Sequence, residues 1–204
     1  MVEVGGAIRE FLMVAFKKQT YLNILYLLFS FPLGTAYFIF LVTGLSFGFG
    51  LLIVWVGIPV LLLIFLAWWE IASFERQMAI WLLGTEIPSM YTQSFYGDSI
   101  LNKFIQRVKS PVTWKALIFL LLKFPLGIFS LVLMVVLLGL TLTMLFTPVL
   151  YLLGVSDVNS ALEAFIVSLS GMLVGFVSLH VLNMLAIISG NFARIMLGSS
   201  EKQL

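Results

Sequence analysis

Residues 21–34 read Tyr21-Leu-Asn-Ile-Leu-Tyr-Leu-Leu-Phe-Ser-Phe-Pro32-Leu-Gly34, and residues 114–127 read Trp114-Lys-Ala-Leu-Ile-Phe-Leu-Leu-Leu-Lys-Phe-Pro125-Leu-Gly127. The two stretches align without a gap at an offset of 93 residues, and the leading aromatic, the leucines and Phe-Pro-Leu-Gly coincide. A second correspondence follows at an offset of 118. Val56-Gly57 recurs as Val174-Gly175, and Phe74-x-Arg76 as Phe192-x-Arg194. Such self-similarity marks a duplicated unit, and it governs the fold more than any single residue does. The difference of 25 between the offsets is an insertion in the second copy.

Both copies lie in charge-free sequence. No Asp, Glu, Lys or Arg occurs in residues 19–69, 124–156 or 164–193, runs of 51, 33 and 30 residues. A membrane span needs about 20 apolar residues. The first run holds two spans, broken near Gly44, Gly48 and Gly50, and each of the others holds one. The spans read as about 21–44, 49–70, 114–140 and 166–193. Composition agrees: 62% of the 204 residues are apolar and 10% charged, and the mean hydropathy is +1.16. A soluble domain carries about 25% charged residues. A net charge of +2 gives no field for nucleic acid. With no cysteine, disulfides, thiolate metal sites and cysteine nucleophiles are excluded.

Basic residues set an expected topology. Arg9, Lys17 and Lys18 precede the first span, Arg76, Lys103, Arg107, Lys109 and Lys115 surround the central segment, and Arg194 and Lys202 end the chain. By the positive-inside rule, both termini and the central segment are expected in the cytoplasm of a multi-pass cell-membrane protein. Lys123 lies one to two turns inside the third span and is expected to snorkel back. The N-terminus does not read as a cleavable signal, because Glu3 and Glu10 interrupt the basic region. Residues 99–109 place Ile100, Leu101, Phe104, Ile105 and Val108 on one helical face and basic residues on the other. Residues 4–18 show a weaker stripe of Ile8, Phe11, Leu12 and Ala15. Each reads as a helix in the headgroup layer or one packed on span ends.

The expected architecture is all-α: a polytopic membrane protein of four transmembrane helices from two parallel two-helix repeats, plus cytoplasmic interfacial helices. Repeat one covers 19–84, the connecting segment 85–112, and repeat two 113–198 with the external insertion at about 141–165. The insertion extends the third helix, dips back into the membrane or caps the bundle, since unshielded irregular backbone is not tolerated in lipid.

Candidate functional residues are few. Pro32 and Pro125 kink their helices, and matched kinks could splay the halves around a ligand pocket with His180 and Asn183; simple packing kinks are the alternative. His180 is the only histidine. At mid-membrane depth, with Asn183 nearby on the same span, it marks a site or an interhelical hydrogen bond to a neighbouring helix. Glu70, with Arg76 or Arg194, forms an expected polar latch between repeats. Gly171 and Gly175, within a small-residue stripe, suit close packing inside the chain or a homodimer. The tryptophans and tyrosines read as interface belts. No metal site, cofactor site or catalytic constellation is present in the sequence pattern.

Phe31-Pro32-Leu33-Gly34, Gly57-Ile58-Pro59, Glu75-Arg76 and Leu82-Leu83-Gly84, with the second copy Phe192-Ala193-Arg194 and Leu197-Gly198, resemble the prokaryotic "Putative sensor" four-transmembrane family. The family stands alone or precedes some histidine kinases, and here the chain stops six residues after Gly198. The resemblance covers roughly residues 15–198. It implies membrane signal sensing or regulation through a partner protein; the lack of a catalytic constellation in the sequence is what leads to the expectation that the protein is not an enzyme. The expected function is a sensor or regulatory module that binds a lipid or other apolar ligand. A ligand-free scaffold or accessory subunit of a transporter or kinase complex is the alternative, and a small lipid-modifying enzyme or transporter a third.

Overall fold

The computed structural model describes residues 11–90, 108–155 and 158–198. Four long apolar helices dominate it: α1 (Lys18–Gly50), α2 (Gly57–Leu83), α3 (Pro111–Leu145) and α5 (Ala161–Leu197), with a short α4 (Thr147–Leu152) between the last two. All four long helices have the length and hydropathy to cross a membrane. At about 1.5 Å per residue, the 33 residues of α1 extend for about 50 Å, beyond the ~30 Å hydrocarbon core. The chain is an all-α, multi-pass membrane protein.

Local sequence sets the boundaries. After α1 the chain tightens into a 3₁₀ turn, Leu51–Val54, and Trp55 takes a left-handed conformation (φ 63°). Gly57 then closes the hairpin. A Cβ there would lie 2.3 Å from the Gly48 carbonyl oxygen and 2.4 Å from the Leu52 nitrogen, so only glycine fits. Pro111 begins α3 at a position where the missing N–H costs nothing. At the start of α5 the Ser160 hydroxyl accepts from the Glu163 amide (3.2 Å), while the Glu163 carboxylate accepts from the Asn159 amide (3.2 Å). This is a reciprocal cap. Within the insertion, residues 141–145 end α3, Thr147–Leu152 form α4 and residues 161–165 open α5.

The helix directions differ from expectation. Along α1, Ser30 and Phe31 meet Gly127 while Gly34 meets Lys123, and further on Leu45 and Phe49 share a cavity with Trp114 and Leu117. Residue numbers rise on α1 as they fall on α3, so the two are antiparallel. In α2 and α3 the numbers rise together: Trp68 meets Trp114 (ring centroids 6.1 Å apart) and Glu75 meets Lys123. Helix α5 runs against α3, with Phe119 beside Phe192 and Thr141 bonded to Ser178 (3.2 Å). The two hairpins thus pack head to tail, and the expected parallel repeat is corrected to an inverted one. An alignment of copies is the same for either sense. The expected sense rests on the basic residues, and two of those, Arg76 and Lys115, lie within α2 and α3. Helices α2 and α3 run the same way. From Gly84 the chain doubles back, and the carbonyls of Ile87 and Pro88 accept from Arg76 (2.5 and 2.9 Å).

The inter-repeat seam is close. A Cβ on Gly34 would lie 2.6 Å from the Lys123 carbonyl oxygen, and one on Gly127 would lie 2.5 Å from that of Ser30. These two glycines are equivalents in the repeat, so the same device is used twice across a pseudo-two-fold axis. Gly127→Ala should destabilise the protein by about 1–3 kcal/mol, because the atoms in the way are backbone; thermal unfolding in detergent would read the loss, and an unchanged midpoint would refute this packing.

The N-terminal stripe is described from residue 11. Phe11 stacks on His180 (4.7 Å, 16°) and Val14 is buried, so these residues pack on α5. The Tyr21 hydroxyl donates to the Ala15 carbonyl and the Thr20 hydroxyl to that of Val14, which ties the segment to α1. Residues 4–10 and all but the last two residues of the 99–109 stripe lie outside the described residues.

Candidate functional site

Burying apolar helices in lipid is favourable; burying charge among them is costly unless it is paired. The centre of the bundle holds such a pair. Glu75 of α2 has no exposed surface and Lys123 of α3 is 5% exposed. They form an ion pair. The Lys123 ammonium also donates to the Tyr26 hydroxyl (2.8 Å), which donates to Glu75 Oε1 (3.0 Å). The Tyr37 hydroxyl donates to Glu75 Oε2 (3.3 Å). Both carboxylate oxygens are thereby satisfied. Lys123 Nζ lies 4.3 Å from the centre of the Tyr26 ring, close enough for a cation–π contribution. The cluster joins α1, α2 and α3, hence both repeats.

Lys123 therefore does not snorkel: its ammonium is taken up inside the bundle. The latch between repeats exists, but its ion pair is Glu75–Lys123. Glu70 is exposed on the outer face of α2, Arg76 holds the returning chain, and Arg194 is exposed beside Ile80 and Thr85. The sequence held a signal for this pair. Lys123 stands nine residues inside a span, and an ionisable residue there demands a partner.

The other candidates are placed as follows. Pro32 and Pro125 both face outward. Between the halves at their level is a space of only about 20 Å³, bordered by Tyr26, Ser30, Phe119, Lys123, Ser130 and Ser189, enough for about one water. Asn183 does link helices: it accepts from the Asn23 amide (3.0 Å) and donates to the Thr20 hydroxyl (3.1 Å) of α1. Gln19 continues that network to the Leu82 carbonyl at the end of α2 (2.8 Å). His180 is separate, with Nδ1 2.9 Å from the Phe176 carbonyl oxygen. Gly171 and Gly175 pack on Met144 and Thr141 of α3. Among the described residues, no group of three or more His, Cys, Asp or Glu side chains could hold a metal ion.

A cavity of about 370 Å³ lies elsewhere, where the end of α1, the first half of α2 and the start of α3 meet. Leu45, Leu61, Phe65, Trp68 and Leu117 form its walls, and its rim includes Phe49, Ile58 and Trp114, which are exposed to the surroundings. Every lining side chain is apolar or aromatic. The prolines suggested a ligand space near mid-helix; the structure closes that space with Gly34 and Gly127 and leaves one open two to three turns away.

No curated protein and no solved structure matches the chain. The sequence model of the Putative sensor family matches residues 26–197, which take in the buried Glu75–Lys123 pair and nearly all of the four long helices, and the chain belongs to that family.

Proposed function

We propose that this protein is a membrane-embedded sensor that takes an apolar ligand from the bilayer and passes its occupancy to a partner protein. The observation that carries the reading is the apolar cavity of about 370 Å³, within the ~300–1,000 Å³ of small-molecule sites. Its aromatic walls lie on the helices that bear the ion pair. Trp68 precedes Glu75 by seven residues on α2, and Trp114 precedes Lys123 by nine on α3. A ligand between these helices would press on the segment whose register the ion pair fixes. Occupancy would then bias two arrangements of α3 against α2, as a regulatory element requires. Membership of a sensor family favours this reading over catalysis.

Native mass spectrometry of the protein extracted in mild detergent tests it. One stoichiometric lipid or apolar adduct is expected, and Leu117→Trp, which fills the cavity, should remove it. A bare protein across several extraction conditions would overturn the reading in favour of a ligand-free scaffold.

A further inference from the structure

The side chains around the cavity at the end of α1 offer a ligand carbon alone. Two of its walls are tryptophan rings, and neither presents a free nitrogen. The Trp114 indole N–H is taken by the Val108 carbonyl (3.0 Å), and the Trp68 indole nitrogen is buried within the protein. Leu45, Leu61, Phe65 and Leu117 complete the walls. Among the described residues no charged side chain lines the cavity, and residues 19–69 contain none. The rim is equally bare. Phe49 is 62% exposed, and Ile58 and Trp114 are exposed beside it. Phe47, Ile53 and Trp55 continue the exposed apolar surface around the nearby turn. In a membrane-spanning bundle, what lies against such a surface is lipid hydrocarbon.

We infer that the occupant is one acyl chain of a membrane phospholipid, which enters sideways through this rim while its headgroup stays in the headgroup layer. The sensor then reads the chain and not the head. The inference rests on the ligand-binding reading above and adds the ligand class. A molecule that entered whole with a polar end, such as a quinone, would bring that end among carbon walls at a cost in lost hydration. A lipid held by its head would need a cation or free donors at the rim, and Phe49, Ile58 and Trp114 supply neither. A chain coming from the bilayer exchanges one hydrocarbon setting for another, so the transfer itself gains little. What decides is how well the chain fills the space, because an unfilled void forfeits contacts. The length and shape of the chain are therefore what this site discriminates.

The test uses the full-length protein in mild detergent, with native mass spectrometry reading occupancy and fragmentation of the released lipid reading its head and chains. The lipid carried from the host membrane should be a phospholipid whose heads follow the composition of that membrane while its chains are enriched in one kind. A panel offered to the delipidated protein then varies one part at a time. Dioctanoyl, dimyristoyl and dioleoyl phosphatidylcholine vary the chain; dimyristoyl phosphatidylglycerol and phosphatidylethanolamine vary the head. Occupancy should differ by about fivefold between the worst and best chains, the scale of an unfilled void of about 40 Å³, and by less than about twofold among heads. Leu117→Phe narrows the space and should move the preference to a shorter chain with the heads still equivalent. Leu45→Phe makes the same change from α1 if the first variant does not fold. An ordering by headgroup, or a chain preference that neither variant moves, overturns the acyl-chain assignment. A retained free fatty acid or quinone in place of a phospholipid overturns it too and leaves the apolar site standing. No adduct from the host membrane or from the panel overturns both readings.

Discussion

Lys123→Met is expected to lower the stability of the protein by about 3–5 kcal/mol, the cost of leaving one member of a buried ion pair without its partner. Glu75 would remain with no exposed surface, facing only the hydroxyls of Tyr26 and Tyr37. Methionine is unbranched and only one heavy atom shorter than lysine, so the loss reports mainly the charge. Glu75→Leu combined with Lys123→Met should recover most of the deficit, because well-packed apolar replacements of buried pairs are often neutral or better. Reversible unfolding in a mixed-micelle titration, followed by circular dichroism, gives the three values. A double variant that loses the sum of its single losses would show that the two residues do not act as a pair. If the pair sets the register of α3 on α2, the double variant should fold and bind the apolar ligand yet fail to couple binding to its partner.

Cross-linking should separate the two possible senses of the repeat almost completely. The chain has no cysteine, so introduced thiols have no background. Leu45→Cys with Leu117→Cys places both thiols on the walls of one cavity, and a bifunctional thiol reagent of about 10 Å reach should join them, where reach is set against ~1.5 Å of helix per residue. Leu45→Cys with Leu138→Cys is the pair that a parallel repeat would bring together at the offset of 93. Leu138 lies 21 residues along α3 from Leu117, about 30 Å away, and that pair should remain unlinked. Efficient linking of the second pair and not the first would overturn the inverted arrangement.

The spans were legible because lipid leaves a simple mark, the absence of charge over a helix length. Their ends were less so. By charge the second span ends at Glu70, yet α2 continues to Leu83, because Glu70 faces outward while Glu75 turns into the core. Charge alone does not distinguish these. The duplication was legible, and its equivalence of Gly34 with Gly127 appears in the structure as matched close contacts. Its sense was not, since a sequence offset carries no direction. The same gap hid the site. Lys123 and Glu75 can be paired only by knowing that α2 and α3 run the same way, so the sequence points to Glu70 with Arg76 or Arg194 as the latch. Asn183 proved to join helices as its polarity suggests, whereas His180 found its contacts in Phe11 and its own helix. The apolar cavity left no mark in the sequence, because Leu, Ile and Phe are equally suited to a wall and to a lipid-facing surface.

The two halves share a framework but are unequal where they meet. By the repeat offsets, Lys123 stands in the place of Ser30, Phe119 in that of Tyr26, and Ala193 in that of Glu75. A protein made of the first half twice would enclose two carboxylates with no cation; one made of the second half twice would enclose two ammonium groups with no anion. Both would be heavily penalised inside a bilayer. The central ion pair therefore does more than hold the bundle closed. It makes each hairpin reject a copy of itself and accept its counterpart.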